Sequence, residues 1–531
     1  MSMTVSETPA AFDRPVSTIP RLIELYGRWQ PDRTALICDG RRVTWGQYAS
    51  EANRVANGLI GLGIAPGDRV AMLTGNSIET LQVMAGILAA GAVLVPLSTM
   101  LDIPTLRLML KDSGAKVLFS EDPYTEAFPP EVRADAAVID GGWIVFDGGS
   151  GGEWRPFDDW IAGFGDRPPG VGIRGEDDFN IIYSSGTTGT PKGITHGHAA
   201  RFSFALTRAV DFRVDSDSVM LVTTPLYHNG SCLLVYPAWL VGATIVIMPK
   251  FDPVAWMDLV ERERCSHTFM VPAQYQRLSE VPDLEYRDLS SLRMALTAGA
   301  AIPADIKQVM LTRIGDAFME LYGATEGFST TIRASEMTEK PDSVGRPVIG
   351  VDVRLLDDDG NEVAPGEVGE IAGNSPYLFR EYHNQPQLTA AAIWLSPAGE
   401  TYFRSGDLGR IDEQGYLYVV GRKKDMIISG GINIYAGDLE QLLSRHADVV
   451  EAAVIGVPHR EWGETPVAYV MVRKDAVPDA GEVLNWANER LAKFQRLSRV
   501  LLRPDLPRNS MGKVLKVELM RDYERERGDY E

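Results

Sequence analysis

Short apolar runs alternate along this chain with longer stretches in which apolar residues recur every three or four positions. The runs at 67–73, 92–96, 116–119 and 179–183 predict buried strands. Between them, Thr44 and Gln47 form a capping-box pattern, Ser77 can cap a second helix, and a third helix is expected near 103–113. Strand–helix alternation at this spacing predicts a parallel, doubly wound sheet.

The same alternation continues in the middle of the chain and then changes. Further strands are expected at 218–223, 244–248, 268–271 and 294–297, and shorter antiparallel strands at 351–356, 366–370 and 416–419. After Asp438 the pattern predicts a helix, strands at 450–457 and 467–472, a helix at 480–494 and a short strand. The expected fold class is α/β: a large N-terminal domain of doubly wound sheets plus a small distorted barrel, followed by a small mobile α+β C-terminal domain.

The length and net charge of the chain, together with its cysteines and apolar stretches, argue against several classes of protein. A chain of 531 residues is too long for one core. Its formal net charge of −20 argues against a general nucleic-acid binder. Three cysteines without CxxC spacing favour neither a disulfide framework nor a zinc site and fit a reducing cytoplasm. No signal peptide is apparent, and Pro237 and Gly242 interrupt the most apolar window, 232–248, which predicts a helix and a strand rather than a membrane span.

The stretch 183–193, with the sequence YSSGTTGTPKG, is the strongest chemical signal. It follows a predicted strand, and its small residues leave the backbone N–H groups free to form a concave nest for phosphate oxygens. Gly186 and Gly189 can adopt positive φ, and Lys192 adds a positive charge at the rim. The order of residues differs from a Walker A loop. An ordinary surface loop is the alternative interpretation.

Three later loops follow predicted strands, where doubly wound sheets open into a ligand crevice. The loop 225–230 contains His228, and the loop 297–302 is built of small residues on which a flat ring can lie. In the loop 320–327, Thr325 and Glu326 offer oxygen ligands of the kind that Mg²⁺ prefers. Packing of aromatic side chains is the alternative for the first of these loops.

Two further stretches carry polar side chains on glycine turns. Asp407 ends the run YFRSGD at 402–407 and is suited to accept hydrogen bonds from both ribose hydroxyls, with an Asx-type turn as the alternative. The charged segment at 421–431 indicates a linker into a second domain. Lys513 follows Gly512 near the C-terminus and, by itself, would be a solvated surface lysine.

Taken in order, these stretches resemble the adenylate-forming enzymes, and among them the acyl-CoA synthetases. The matching pieces are the phosphate loop and the motifs at 299–301, 322–326, 405–407, 421–425 and 509–513, so the resemblance runs from about Ile23 to Val517. It implies a two-step reaction. A carboxylate attacks the α-phosphorus of ATP to give acyl-AMP and pyrophosphate, and the thiol of CoA then displaces AMP.

The resemblance also implies a role for each matching position. The catalytic residues would be Lys513, Glu326, Thr187, Lys192 and His228, with Glu326 holding Mg²⁺. ATP and AMP would be bound by Ser184, Ser185, Gly186, Thr187, Thr188, Gly189, Lys192, Gly299, Ala300, Ala301, Tyr322, Gly323, Thr325, Glu326, Asp407, Arg422 and Lys513. The acyl pocket would involve His228, Cys232, Tyr236, Trp239 and Gly323, and the loop on the CoA side Ser429, Gly430, Gly431 and Asn433.

The implied domain organisation is an N-terminal ATP- and acyl-binding domain at 1–421, a hinge at 422–425 centred on Lys424, and a mobile domain at 426–531. Rotation about the hinge would replace Lys513 by the CoA-side loop between the two steps. The expected partners are ATP with Mg²⁺, CoA and a medium-chain, branched, alicyclic or aromatic acid; a homodimer is compatible with the sequence. The alternatives are a ligase that loads carrier-protein phosphopantetheine, a luciferase-type oxygenase and a non-enzymatic binding module.

Overall fold

The computed structural model describes residues 17–146, 154–184, 192–430, 432–460, 462–473, 476, 479–508 and 514–528. Its described residues form four β-sheets, three in the larger N-terminal part and one in the C-terminal part.

The first third of the chain alternates strands and helices, as the apolar pattern predicts. Thr44 and Gln47 form the expected capping box, and the Ser77 side chain accepts a hydrogen bond from the backbone N–H of Thr80. The elements are α1 (Ile19–Trp29), β1 (Thr34–Cys38), β2 (Arg41–Thr44), α2 (Trp45–Gly61), β3 (Arg69–Leu73), α3 (Ile78–Ala89), β4 (Val93–Pro96), α4 (Ile103–Ser113), β5 (Val117–Glu121), α5 (Pro130–Ala134), β6 (Trp143–Phe146), β7 (Arg155–Pro156), α6 (Phe157–Ile161) and β8 (Asp178–Ser184).

The middle of the chain continues the alternation and ends in a hairpin. Its elements are β9 (Lys192–Gly197), α7 (His198–Asp211), β10 (Val219–Val222), α8 (Asn229–Val241), β11 (Thr244–Ile247), α9 (Pro253–Glu263), β12 (His267–Met270), α10 (Pro272–Ser279), β13 (Met294–Ala298), α11 (Ala304–Arg313), β14 (Phe318–Ala324), β15 (Phe328–Arg333), α12 (Ala334–Met337) and β16 (Arg346–Pro347). The helix and strand expected in the most apolar window are thus α8 and β11.

The last third is richer in antiparallel strands. Its elements are β17 (Asp352–Leu356), β18 (Gly369–Asn374), β19 (Glu381–Tyr382), α13 (Pro386–Ala391), β20 (Ile393–Leu395), β21 (Thr401–Ile411), β22 (Leu417–Arg422), β23 (Ile427–Ser429), β24 (Ile432–Ile434), α14 (Ala436–Leu443), β25 (Val449–His459), β26 (Gly463–Val472), α15 (Ala480–Asn488), β27 (Arg499–Arg503) and α16 (Lys516–Gly528). Helix α15 ends earlier than the pattern predicts, because the Asn488 side chain turns the chain by bonding both backbone groups of Leu497.

Two large sheets form the N-terminal part. One has nine strands in the order β16-β15-β14-β13-β12-β10-β11-β1-β2, and the other has eight in the order β19-β9-β8-β4-β3-β5-β6-β7. Their inner strands are parallel, as expected, whereas β1–β2, β14–β15 and β8–β9 are antiparallel pairs. Helices between the sheets bury the largest apolar cluster, in which Trp45 and Trp239 are fully buried.

A small antiparallel sheet stands where the sequence predicts a distorted barrel. It runs β17-β18-β21-β20, with β22 paired to β21, and packs the Phe328, Ile371 and Phe403 side chains beneath it. The C-terminal sheet runs β24-β23-β26-β25, with β27 beside β26, and is covered by α14, α15 and α16. In the described part of the chain, no helix is long and apolar enough to cross a membrane.

The two parts of the chain meet around the end of β22. A 3₁₀ turn at Lys423–Asp425 follows β22 directly, and β23 begins two residues later. Across this junction α14 lies so close to β22 that a Cβ on Gly437 would stand 2.5 Å from the carbonyl oxygen of Val420. The proposed hinge therefore falls in a short turn between two strands, although the division into domains itself stays a prediction.

Candidate active site

The Asp407 carboxylate lies where the nine-stranded sheet meets the small antiparallel sheet. It accepts a hydrogen bond from the Tyr322 hydroxyl at 2.6 Å, and the Arg422 Nε lies 2.6 Å from its other oxygen. Strand pairing produces part of this arrangement, because Asp407 and Arg422 are opposite each other in β21 and β22. Three residues that the sequence analysis assigned to nucleotide binding are thus in direct contact.

This triad is preorganised for a neutral, hydroxyl-bearing ligand. Burial, reinforced by the Asp407 carboxylate, raises the pKa of Tyr322 well above its usual value, so its hydroxyl stays a donor. A carboxylate has about four lone-pair sites, so Asp407 retains acceptor capacity after both contacts are made. Asp407 is 8% exposed, which limits competition from bulk water.

Glu326 is oriented by a tyrosine that the sequence analysis missed. The Tyr382 hydroxyl donates to Glu326 Oε1 at 2.7 Å, and Lys192 Nζ lies 5.4 Å from the centre of the Tyr382 ring. Burial and the nearby carboxylate raise the pKa of Tyr382, which keeps it a donor. The ring therefore lies between the lysine and the glutamate that the sequence assigns to phosphates and metal.

Strand pairing also fixes the base of the predicted phosphate loop. Ser184 and Lys192 are partners across the antiparallel pair β8–β9, so the loop leaves and re-enters at adjacent positions. His196, further along β9, contacts the Thr325 carbonyl oxygen through Nε2 at 2.9 Å. The loop residues Ser185, Gly186, Thr187, Thr188 and Gly189 lie outside the described residues.

Gly299, Ala300 and Ala301 form an exposed ledge directly after β13. Gly299 has φ +95°, a conformation that favours glycine. Because these residues have no side chain beyond Cβ, a flat ring can approach the backbone closely. Their geometry is compatible with the adenine contact that the sequence predicts.

His228 begins helix α8 and caps it. Its Nδ1 accepts a hydrogen bond from the backbone N–H of Gly230 at 3.0 Å, which leaves the proton of the neutral ring on Nε2. Burial lowers the pKa of His228 to about 4, so the imidazole is neutral at pH 7. A neutral Nε2–H is a hydrogen-bond donor.

The residues assigned to the acyl pocket are mostly inside the core. Cys232 follows His228 by one helical turn, and its thiol contacts the His228 carbonyl oxygen at 3.8 Å. Tyr236 and Trp239 are 1% and 0% exposed, with their ring centres 5.7 Å apart. Gly323, in contrast, is exposed at the end of β14. Their role in an acyl pocket stays a prediction.

The residues assigned to domain rotation lie at the junction and beyond it. Lys424 is exposed in the 3₁₀ turn, with its Nζ 3.9 Å from the carboxylate of the adjacent Asp425. Ser429 is buried at the end of β23, whereas Gly430 and Asn433 are exposed in the hairpin to β24. Gly431 and Lys513 lie outside the described residues, so their roles stay predictions.

Sequence reasoning identified the two carboxylates but not Tyr382, which contacts Glu326, or His196, which contacts the Thr325 carbonyl oxygen. Tyr382 is 56 positions from Glu326 and carries no motif of its own. Its two-residue strand β19 pairs with β9, which carries Lys192, and this pairing is a long-range contact. The only signal for His196 is its place four residues after Lys192.

The arrangement as a whole can bind a nucleotide and a hard cation. It offers a buried carboxylate acceptor, a ledge for a flat ring, a second oriented carboxylate and a lysine at the mouth of a glycine-rich loop. No group of three or more His, Cys, Asp or Glu side chains that could hold a metal occurs among the described residues. Any cation would therefore be bound by few protein ligands and completed by phosphate oxygens and water.

Comparison with known proteins agrees with this geometry. Residues 25–383 match the family model of the AMP-binding enzyme, and residues 438–513 match that of the AMP-binding enzyme C-terminal domain. The chain is 36% identical to a feruloyl-CoA synthase of Amycolatopsis sp over 501 residues, which cover 93% of this chain and 97% of that protein. It is 34% identical to an indoleacetate–CoA ligase of Aromatoleum aromaticum, with 93% and 96% of the two chains covered.

The chain is also similar to a solved structure and to a ligase whose name specifies a carrier protein. The ATP-bound crystal structure of MatB from Rhodopseudomonas palustris superposes with a TM-score of 0.86 at 30% identity and covers 96% of this chain and 99% of its own. A fatty acid–[acyl-carrier-protein] ligase, ScoC of Streptomyces coeruleorubidus, is 29% identical, with 95% and 96% covered. The match to the first family model spans more than half of the chain, and the chain therefore belongs to the AMP-binding enzyme family.

Proposed function

We propose that this protein is an ATP-dependent carboxylate–CoA ligase. The acid's carboxylate oxygen attacks the α-phosphorus of ATP, pyrophosphate leaves, and acyl-AMP forms. The thiol of CoA then attacks the acyl carbonyl, its proton passes to solvent, and AMP leaves. The observation that carries the proposal is the buried Asp407 carboxylate, held by Tyr322 and Arg422 beside the Glu326 loop in a chain of this family.

AMP is held in the proposal by the triad and the ledge. Asp407 accepts hydrogen bonds from the ribose hydroxyls, while Tyr322 and Arg422 keep its carboxylate in place. Adenine lies on the backbone from Gly299 to Ala301. The nucleotide thus stays bound through both steps, and only its phosphate and acyl groups change.

The Glu326 site fits Mg²⁺. One carboxylate oxygen is already oriented by Tyr382, and Mg²⁺ typically binds through one or two carboxylates plus substrate phosphates and water. Mg²⁺ bound to Glu326 would offset the negative charge that develops on the pyrophosphate oxygens. Thr325 and Lys192 would contribute a hydroxyl and a positive charge to the same phosphates.

The first step depends on bringing two anions together. A carboxylate and a triphosphate repel each other, so positive charge at the point of contact lowers the barrier. Lys513 takes that role in the proposal, bridging the acid's carboxylate and the α-phosphate. The loop residues Thr187 and Thr188 hold the departing pyrophosphate.

The second step needs a different face of the C-terminal part. Rotation about Lys424 would withdraw Lys513 and bring Ser429 and Asn433 to the thiol. A general base is not required, because an ordinary thiol with a pKa of ~8.5 is partly ionised near neutral pH. His228, neutral and donating through Nε2, orients the acyl group.

The acid is proposed to be medium-chain, branched, alicyclic or aromatic. Support comes from the aromatic side chains of α8 and from the two relatives whose names specify feruloyl and indoleacetate substrates. The test is a panel of acids with ATP, Mg²⁺ and CoA, in which pyrophosphate and acyl-CoA are measured separately. We expect equal amounts of both products with one class of acid; acetate as the only good substrate would contradict the proposed pocket.

A carrier-protein ligase is the second candidate, favoured by the likeness to ScoC. It predicts pyrophosphate release without acyl-CoA, and thioester formation when a phosphopantetheinylated carrier protein replaces CoA. The same panel therefore separates the two functions. Absence of pyrophosphate with every acid would contradict both.

A further inference from the structure

Helix α7 carries a buried arginine whose charge has no acidic partner among the residues that the structure describes. Arg201 is 1% exposed, and no carboxylate of the described residues lies within 4.0 Å of its guanidinium group. Its Nε donates to Asn180 Oδ1 at 2.7 Å, and its guanidinium carbon lies 5.5 Å and 5.6 Å from the ring centres of Phe204 and Tyr236. A buried charge is costly unless it is paired, and a neutral amide and two rings offset only part of that cost.

Two of the buried polar atoms at this arginine are unpaired donors, and His196 Nδ1 on the neighbouring strand also has no partner among the described residues. Arg201 Nη2 and Asn180 Nδ2 are buried and have no hydrogen-bond partner among the described residues. The orientation of the Asn180 amide follows from its contact, because its oxygen must face the Arg201 Nε–H. Two unpaired donors and a positive charge can be satisfied only by an acceptor, and an oxygen with negative or partial negative charge suits them best.

The Arg201 site lies along helix α8, toward the C-terminal side of His228. His228, Cys232 and Tyr236 are spaced by four residues, so they share one face of the helix. With a rise of 1.5 Å per residue, Tyr236 lies ~12 Å along the helix axis from His228. Arg201 contacts the Tyr236 ring and is therefore at the deep end of this face.

On its other side, Arg201 contacts a strand pair that reaches the predicted nucleotide site. Asn180 and His196 are partners in the pair β8–β9, and His196 contacts the Thr325 carbonyl oxygen at 2.9 Å. Arg201 is thus placed between the face of α8 that begins at His228 and the strand pair β8–β9, from which His196 contacts the Thr325 carbonyl oxygen. A substrate that enters between His228 and this loop, carboxylate outward, would direct its far end toward the guanidinium group.

We propose that Arg201 binds an oxygen acceptor at the far end of the acyl group and so determines which acids are used. The substrate class is then carboxylic acids with a ketone, a hydroxyl or a second carboxylate at the end remote from the reacting carboxylate. This inference rests on the proposed function, since it identifies the substrate of the same site. A site whose buried donors need a partner discriminates strongly against analogues that lack one.

The test compares matched acids in the purified full chain. Octanoate is paired with its keto analogue at the penultimate carbon, and cinnamate with para-hydroxycinnamate. The ratio of kcat/KM within each pair is measured by ATP-dependent acyl-CoA formation. We expect the wild type to favour the oxygen-bearing acid of at least one pair by about tenfold or more. Equal use of both members of both pairs overturns the inference without any variant.

Two arginine variants then test whether Arg201 is the residue that causes this substrate preference. Arg201→Met keeps an unbranched side chain that fills the aliphatic part of the arginine site and removes its donors, and we expect the ratio to fall to within about threefold of unity. Arg208→Met is the matched control, because Arg208 is also buried on α7, packs on Phe204 at 5.0 Å and has unpaired Nε and Nη1 atoms among the described residues. Its Nη2 donates to Ser329 and Tyr377, so it faces Tyr377 rather than Tyr236 of α8. This variant should lower stability and leave the ratio unchanged.

The outcomes separate this inference from the proposed function. If the wild type forms neither pyrophosphate nor acyl-CoA with any acid, the proposed function fails. If turnover is normal but Arg201→Met lowers kcat/KM equally for both members of a pair, Arg201 has only a structural role and the inference fails. Should that variant not fold, Arg201→Lys, which keeps a positive charge, must reduce the wild-type ratio for the inference to stand.

Discussion

Removal of the Tyr382 hydroxyl tests whether Glu326 is held in place for metal and phosphate binding. Tyr382→Phe deletes the 2.7 Å hydrogen bond to Glu326 and keeps the ring beside Lys192. A hydrogen bond to a charged group contributes about 1.5–3 kcal/mol. Independently, loss of a residue that orients a metal ligand lowers metal affinity or activity about 10–100-fold, which corresponds to about 1.4–2.8 kcal/mol.

The two estimates agree, so kcat/KM for ATP in pyrophosphate release should fall about 10–100-fold in Tyr382→Phe. Tyr402→Phe is the matched control, because it also removes a tyrosine–carboxylate hydrogen bond, to Asp352 at 2.5 Å, in the small sheet. The control should stay within about threefold of the wild type, since Asp352 has no assigned role. A folded Tyr382→Phe that also stays within threefold would refute the role of the Tyr382–Glu326 contact.

The remaining predictions concern the two steps, the backbone and pH. Lys513→Ala should lower pyrophosphate release by about 100-fold and leave thioester formation from supplied acyl-AMP nearly unchanged, whereas Lys424→Pro should do the reverse; equal losses in both half-reactions would contradict these roles. Gly345→Ala should lower the free energy of unfolding in urea by at least about 3 kcal/mol, because φ is +88° and the new Cβ would stand 1.9 Å from a backbone oxygen. Gly399 has a similar φ of +82° but open space around it, so Gly399→Ala should lower the same free energy by only about 1–2 kcal/mol. Burial lowers the pKa of His267 to about 4, below its unfolded value of ~6.5, so its contribution is present above pH 6.5 and is lost as the pH falls toward 4. His267 alone should account for about 2 kcal/mol of the decrease in unfolding free energy between pH 7.5 and pH 5, and other buried histidines such as His228 add to that decrease. A His267→Gln variant should therefore lose about 2 kcal/mol less than the wild type over this range, and a variant that shows the full wild-type decrease would contradict this origin.

Elements with local signals could be predicted closely. Helix α4 was expected near 103–113 and spans Ile103–Ser113, because Asp102 caps its first turn and Gly114 adopts the left-handed conformation that ends it. Both signals act within a few residues and are readable without the fold. The end of α15 was missed because it depends on a side chain of Asn488 that bonds Leu497.

The residues of the candidate site likewise divide into those with a local sequence signal and those without one. Asp407 and Glu326 were identified because each lies in a short motif, although Asp407 is inside β21 and only Glu326 follows the end of a strand. The contacts that orient them depend on which strands become neighbours: Tyr382 reaches Glu326 only because β19 pairs with β9. Arg201 carried no signal either, since its burial depends on α8 covering α7.

The order of strands in the nine-stranded sheet has a consequence for synthesis of the protein. Leu36 of β1 pairs with Ile245 of β11, about 210 positions later, and the eight-stranded sheet is encoded almost entirely between them. At about 5–20 residues per second, the ribosome takes ~10–40 s to produce the partner of β1. During that time the hairpin β1–β2 presents an unpaired edge, so the early nascent chain is the stage at which a holdase chaperone would be of most use.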